Sequence, residues 1–129
     1  MKRQAGFTLM ELLVAVAIIG IISAIAYPSY QNQMMQSRRA DARVSLFAMA
    51  AQQELFYAGP ALAYTAVVAN VGGAASRETF YTLSAVVVPG GGGYTLTAVP
   101  AAGGPQTADV ACLSMTLNQA GTKLPAVCW

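Results

Sequence analysis

Residues 2–30 read K-R-Q-A-G-F-T-L-M-E-L-L-V-A-V-A-I-I-G-I-I-S-A-I-A-Y-P-S-Y, and their reading decides how the rest of the chain is arranged. Two cations, Lys2 and Arg3, come first. Gly6-Phe7 follows, then one carboxylate, Glu11, and the next charge is Arg38. A helix from Phe7 to Tyr30, rising about 1.5 Å per residue, spans roughly 36 Å and crosses a bilayer core of about 30 Å. A single acid near the head of such a segment is costly and by default marks function.

The chain has 129 residues, which allows one domain besides a membrane helix. Only 9% of residues are charged, while 56% are hydrophobic, a bias concentrated in the N-terminal segment. The net charge of +2 comes from Lys2 and Arg3, so it does not point to nucleic acid. There is no His, which removes the commonest general base and metal ligand. No nucleophile elbow, paired carboxylates or metal-ligand cluster replaces it, so no catalytic residue, metal or cofactor is assigned. Cys112 and Cys128 make a poor zinc site by themselves. Downstream of a membrane-directing segment they read as a disulfide, worth about 3 kcal/mol for a loop of that length; the alternative is two buried thiols.

Beyond Pro28 the pattern stays helical through good helix formers to about Tyr57, where Gly59-Pro60 ends it. Gly20 and Pro28 are the helix breakers, with a bend expected at Pro28. The second half of the helix carries apolar residues on two arcs. Val44, Phe47, Ala51 and Leu55 share one side; Met35, Ala42, Leu46, Met49 and Phe56 share the other. A surface helix needs only one stripe, so two imply two contacts, one with its own sheet and one with something else, such as neighbouring copies. Residues 61–76 read as an irregular loop. Strands are expected at 79–88, 94–99 and 111–118, with a short last one at 124–129. In the third, Leu113, Met115 and Leu117 are placed on the core face, with Cys112, Ser114 and Thr116 opposite. The four glycines at 90–93 lack the Lys and the helix of a phosphate loop and read as a hairpin turn. The fold class is α+β, a long helix packed on an antiparallel sheet of about four strands.

The N-terminus has three readings. A secretory signal peptide would use Ala24-Ile25-Ala26 as its cleavage site. A plain signal anchor would simply stay in the membrane. Neither explains Gly6-Phe7-Thr8-Leu9-Met10-Glu11, and here the sequence resembles the type IV pilin family, whose processing signature is G-F-T-L-x-E before an uncharged apolar helix. Pro28, the long helix, the sheet and the C-terminal Cys pair are also placed as in that family, here type IVa. The resemblance implies a leader, residues 1–6, cut by a prepilin peptidase between Gly6 and Phe7, with Phe7 then N-methylated. It implies that residues 7–30 serve as transmembrane helix and then filament core, and that residues 31–129 form the head. It gives Glu11 an assembly role, pairing with the Phe7 amine of a neighbouring subunit and so setting register; the alternative is an i, i+4 contact within one chain.

Further pieces, Gln52-Gln53-Glu54-Leu55-Phe56-Tyr57, Tyr94-Thr95-Leu96-Thr97-Ala98, Leu117-Asn118-Gln119-Ala120-Gly121 and Cys128-Trp129, are similar to PilE-type minor pilins. That similarity implies a minor pilin serving pilus assembly, twitching motility and adhesion. A major pilin, a DNA-uptake pilin and a type II secretion pseudopilin are the alternatives. Its partners would be other pilin subunits, the peptidase and the inner-membrane assembly machinery. Lys2 and Arg3 put the N-terminus in the cytoplasm. Arg38, Arg39, Arg43, Arg77 and Lys123 are candidate DNA contacts, but Asp41 lies among the helical three, and a solvated face with local Asp–Arg pairs is the expected arrangement. Glu78 and Asp109 are expected to be solvent-exposed loop acids.

Overall fold

In a computed structural model, residues 6–129 are described. The leader cations Lys2 and Arg3, and most of the leader itself, lie outside the described residues. One helix, α1 (Leu9–Tyr57), is followed by strands β1 (Tyr81–Val87), β2 (Tyr94–Pro100), β3 (Met115–Asn118) and β4 (Lys123–Leu124). The chain divides into two compact units, one up to Met34 and one from Met35 to Trp129.

In the first unit the helix begins with Thr8, whose Oγ1 accepts the Glu11 N–H at 3.2 Å, while its carbonyl accepts the Leu12 N–H. This satisfies a donor that every helix start leaves free. The helix then continues through Gly20 and Pro28, so neither residue breaks it. Pro28 removes one backbone donor, but the bonds of the flanking turns keep the helix running, as they do in apolar helices elsewhere. A Cβ at Gly20 would meet nothing within 4 Å, so no neighbour in this chain requires that glycine.

In the second unit the remainder of α1 packs on the sheet. Its end is marked by Gly59, whose N–H reaches the Phe56 carbonyl at 3.1 Å. The sheet is a simple antiparallel meander, β1-β2-β3-β4. Alternation in β2 puts Tyr94, Leu96 and Ala98 inward. They meet Leu83 and Ala85 of β1, Met115 and Leu117 of β3, and Ala42, Leu46 and Met49 of α1 in a single core. The β1–β2 turn uses the glycines for a physical reason: Gly90 and Gly91 have φ of 92° and 75°, which side chains disfavour.

Three strand expectations change. The 111–118 segment begins as a 3-10 turn, Val110–Cys112, and pairs only from Met115. Cys112 is therefore buried and Leu113 is 48% exposed, the reverse of the alternation read from sequence. The disulfide pulls Cys112 inward, and a strand period cannot apply where there is no strand. At 124–129 the ladder stops at Leu124, because Pro125 has no N–H to donate, and Ala126–Cys128 forms another 3-10 turn. At the start of β1, Thr79 has a φ of 61°, so the strand begins later than expected, at Tyr81. The 61–76 loop also carries a 3-10 turn, Val68–Val71, and a bridge from Ala75 to Thr82.

Candidate functional site

Gly6, Phe7 and Glu11 lie together at the start of α1 and are all exposed. The Phe7 ring is 84% exposed, and the large apolar side chains from Leu9 to Ile25 are exposed on every side. The helix is long and apolar enough to cross a membrane. Such an uncovered surface needs lipid or other chains around it. The Thr8–Glu11 contact adds a local role the sequence reading missed: T-L-M-E has the spacing of a capping box, and that pattern was available in the sequence.

The head face of α1 that does not meet the sheet stays open. Val44, Phe47, Ala51 and Leu55 are exposed, whereas Ala42, Leu46 and Met49 are buried in the core. Phe47 is partly covered by Trp129, edge to face at 5.7 Å. Lys123 lies over both rings, with Nζ at 4.9 Å from Phe47 and 5.4 Å from Trp129.

The cations of α1 do not form a solvated face. Arg39 makes a two-pronged pair with Asp109, Nε to Oδ2 at 2.7 Å and Nη2 to Oδ1 at 2.8 Å. Asp109 is thus a buried partner, 4% exposed, and not a loop acid in solvent. The pairing raises the Arg39 pKa, chiefly through the Asp109 hydrogen bond. Arg39 also donates to the Val127 carbonyl, and Arg43 donates to the Cys128 carbonyl at 2.8 Å. Arg38 rests over the Phe80 ring. Asp41 is occupied elsewhere: it accepts from the Ser76 hydroxyl and from the Glu78 N–H. Local spacing nominated Asp41 as the arginines' partner, whereas the actual partner lies 70 residues away from Arg39, where spacing gives no signal.

Cys112 and Cys128, 16 positions apart, are bonded and close a loop that contains β3 and β4. Arg43 and Arg39 hold the Cys128 end of that loop to α1, and Arg39 also holds Asp109, three residues before its Cys112 end.

Three of the four short motifs singled out in the sequence meet in space. Gln53 is buried and clasps the Thr65 backbone, with Nε2 to the carbonyl at 2.6 Å and Oε1 from the N–H at 3.0 Å. Glu54 accepts from the Tyr64 and Tyr94 hydroxyls, and Gln119 donates to the Tyr64 hydroxyl. Tyr57 stacks on Tyr64, which meets Tyr94 edge to face. These residues pin the helix end, the loop and the β2 start together.

This cluster has a pH consequence. Burial, then the neighbouring Glu54 charge, pushes the Tyr94 hydroxyl up to about 12, and burial likewise raises Tyr64. An unfolded tyrosine titrates near 10, so at higher pH the unfolded state releases its proton first. The stability this contributes is complete below about pH 10 and is lost as pH rises from there through about 12. Urea unfolding midpoints should fall over that window, and Tyr94→Phe should flatten the fall. An unchanged slope in the variant would assign it to other groups.

Residues 28–116 match the family model described as type IV minor pilin ComP, DNA uptake sequence receptor. Residues 1–27 match the prokaryotic N-terminal methylation motif. A fimbrial protein of Pseudomonas aeruginosa is 47% identical over 57 residues, 43% of this chain and 37% of that protein. The type IV major pilin protein PilA of Myxococcus xanthus is 42% identical over 55 residues, 43% of this chain and 25% of that protein. These curated matches therefore span well under half the length of either relative. A solved type IV pilin from Shewanella oneidensis is 26% identical, with a TM-score of 0.56 over 74% of this chain and 97% of that one. With more than half its length matched by one model, a methylation motif in front and a pilin fold behind, the chain belongs to the type IV minor pilin ComP family.

Proposed function

We propose that this protein is a minor structural subunit of a type IV pilus, held in the inner membrane before assembly and extracellular afterwards. The observation that carries the reading is the uncharged, fully exposed first part of α1 behind G-F-T-L-M-E. In this reading a prepilin peptidase removes residues 1–6 and leaves a free amine on Phe7, which is methylated and keeps its charge. Residues 7–30 anchor the precursor and later line the filament core. Within that core Glu11 of one subunit pairs with the Phe7 amine of another. Residues 31–129 form the head, and the open Val44–Phe47–Leu55 stripe supplies the second contact, toward neighbouring subunits. Pro28 lacks a backbone donor and Gly20 has low helix propensity, so the Gly20 to Pro28 interval is where α1 would loosen on packing. Partners are other pilin subunits and the inner-membrane assembly machinery, and the outcome is pilus assembly, twitching motility and adhesion.

N-terminal sequencing of the mature protein, with immunogold labelling of sheared pili, tests this. The expected result is a chain starting at methylated Phe7, present in pili at a small fraction of the major subunit. A mature chain starting at Tyr27, after Ala24-Ile25-Ala26, overturns it.

A second reading, as a DNA-uptake pilin, is favoured by the description of the matched family. The head's own charges give it little support: Arg39 and Arg43 are engaged internally and Arg38 and Lys123 lie on aromatic rings, so of the five candidate cations Arg77 alone is exposed and in none of these contacts. Duplex DNA binding by the detergent-solubilised chain should then fall with salt, with a log–log slope of about −0.9 per phosphate neutralised. Absence of binding at low salt removes this reading.

A further inference from the structure

We propose that the cavity between the head part of α1 and the loop before β1 binds a small amphipathic monoanion, a carboxylate on an aryl or short alkyl body. Neither the subunit reading nor the DNA reading calls for such a site.

The cavity has a volume of about 380 Å³ and lies wholly within the second unit. That volume is in the range of small-ligand pockets. Small residues create it. On α1, Ser45, Ala48 and Gln52 follow the three- and four-residue spacing of one helix face, and the short Ala48 side chain stands in the middle of that face. The loop contributes Gly72 and Ala75. Gly72 has a φ of 115°, so the loop turns there without a side chain, and a Cβ would meet nothing within 4 Å. Neither wall therefore fills the space. Met49, Val71 and Leu83, each 5% exposed or less, form an apolar floor.

The polar lining selects the charge. Ser45, Gln52 and Arg77 all carry donors, and no acid lines the cavity. Arg77 supplies the one charge of the lining. Its segment is pinned to α1 at three points. The Ser76 hydroxyl and the Glu78 N–H donate to Asp41, and the Arg77 N–H donates to Ser45 Oγ at 3.2 Å. The backbone that carries Arg77 is thus set before any ligand arrives. Because Ser45 Oγ accepts that N–H, its own O–H is left to donate. Among the described residues the Arg77 guanidinium makes no ion pair, unlike that of Arg39. Glu78, its neighbour in sequence, is exposed and outside the lining, and Asp41 already accepts the two bonds just given. A ligand with an apolar body for the floor and one anionic head for Arg77 satisfies both halves of the site. One cation balances one negative charge, which favours a carboxylate over a phosphate dianion.

The test uses the full chain, isotope-labelled in detergent micelles, and the probes phenylpropionate, its neutral amide, phenylpropylammonium and acetate. The expected result is saturable binding of phenylpropionate, with a Kd of about 1 mM or tighter for a ligand of that size and shifts of the Gly72, Ala75 and Arg77 amides. The neutral amide should bind about tenfold more weakly, because it lacks the charge that Arg77 meets. Acetate, without the apolar body, and the ammonium probe should give no shifts there. Arg77→Gln should bring phenylpropionate down to the affinity of the amide and leave the amide's own affinity unchanged. Ala48→Leu, at an exposed helix position that accepts a good helix former, should fill the cavity and block both ligands at an unchanged melting temperature. If that variant proves unstable, Arg77→Gln decides the matter with the amide as internal control. Equal affinity for the carboxylate and the ammonium probe, or no shifts at about 10 mM phenylpropionate, overturns the proposal. Shifts confined to residues 7–30 also overturn it, since they report partition into the micelle alone. So do concentration-dependent shifts of the same amides without ligand, which would make a second copy the occupant.

Discussion

Glu11→Ala is expected to leave membrane insertion and leader removal intact and to abolish incorporation into filaments. The structure sharpens this by giving Glu11 two separable properties. Its backbone N–H caps onto Thr8, and its spacing from Thr8 is that of a capping box, a local role that any good hydrogen-bonding side chain at this position supports. Its charge is what would compensate a neighbour's amine inside an apolar bundle. Glu11→Gln separates the two, because Gln serves in a capping box but carries no charge. If pairing between subunits is the role, Glu11→Gln chains behave like the Ala variant: they stay in the membrane, correctly processed and missing from sheared pili. If local helix stability is what matters, the Gln variant incorporates normally and only the Ala variant shows a defect, a small one because Ala keeps the backbone N–H that donates to Thr8. Immunoblots of membrane and sheared-pilus fractions read both outcomes.

Asp109→Ala is expected to be the most damaging single change in the head outside the core and the disulfide. It leaves the Arg39 guanidinium, whose side chain is 13% exposed, without its partner. Breaking one side of a buried pair costs about 3–5 kcal/mol, and the residual exposure of Arg39 points to the lower end. Each kcal/mol lowers the melting temperature of a domain this size by about 4–8 °C. Replacing both partners, Arg39→Met with Asp109→Leu, should recover most of the loss, because a desolvated pair and an apolar pair of similar volume are close in energy. Thermal melts of the full chain in detergent, arranged as a double-mutant cycle, provide the check. A double variant as unstable as Asp109→Ala would mean that Arg39 acts mainly through its bond to the Val127 carbonyl.

Where structure follows from period, the sequence was enough. The two apolar arcs of α1 separate cleanly into a buried set around Leu46 and an open set around Phe47. The inward alternation of Tyr94, Leu96 and Ala98 likewise matches a two-residue repeat. Failures came where a distant covalent or ionic partner overrules local pattern. Leu113 is turned out and Cys112 turned in by a bond to Cys128, and Asp109 is drawn inward by an arginine far away in sequence. Of the candidate site, the processing motif was legible because it is contiguous. The Gln53–Thr65 clasp and the Glu54 tyrosine cluster were not, since they join residues from different elements. In sequence these residues carry only a likeness, and the geometry gives that likeness a physical reason.

The doubly anchored loop between Cys112 and Cys128 also determines how the head responds to pulling. The corner at Val110–Leu113 protrudes into solvent and is a natural handle. Tension applied there would run both to Asp109, paired with Arg39 of α1, and to Cys112, whose covalent bridge leads to Cys128 and the carbonyl gripped by Arg43 of α1. The two-residue β4 pairing lies in parallel with that route and carries little of the force. A head wired in this way would pass traction from its surface to its helix through an ion pair and a sulfur bridge, with the short β4 pairing lying in parallel.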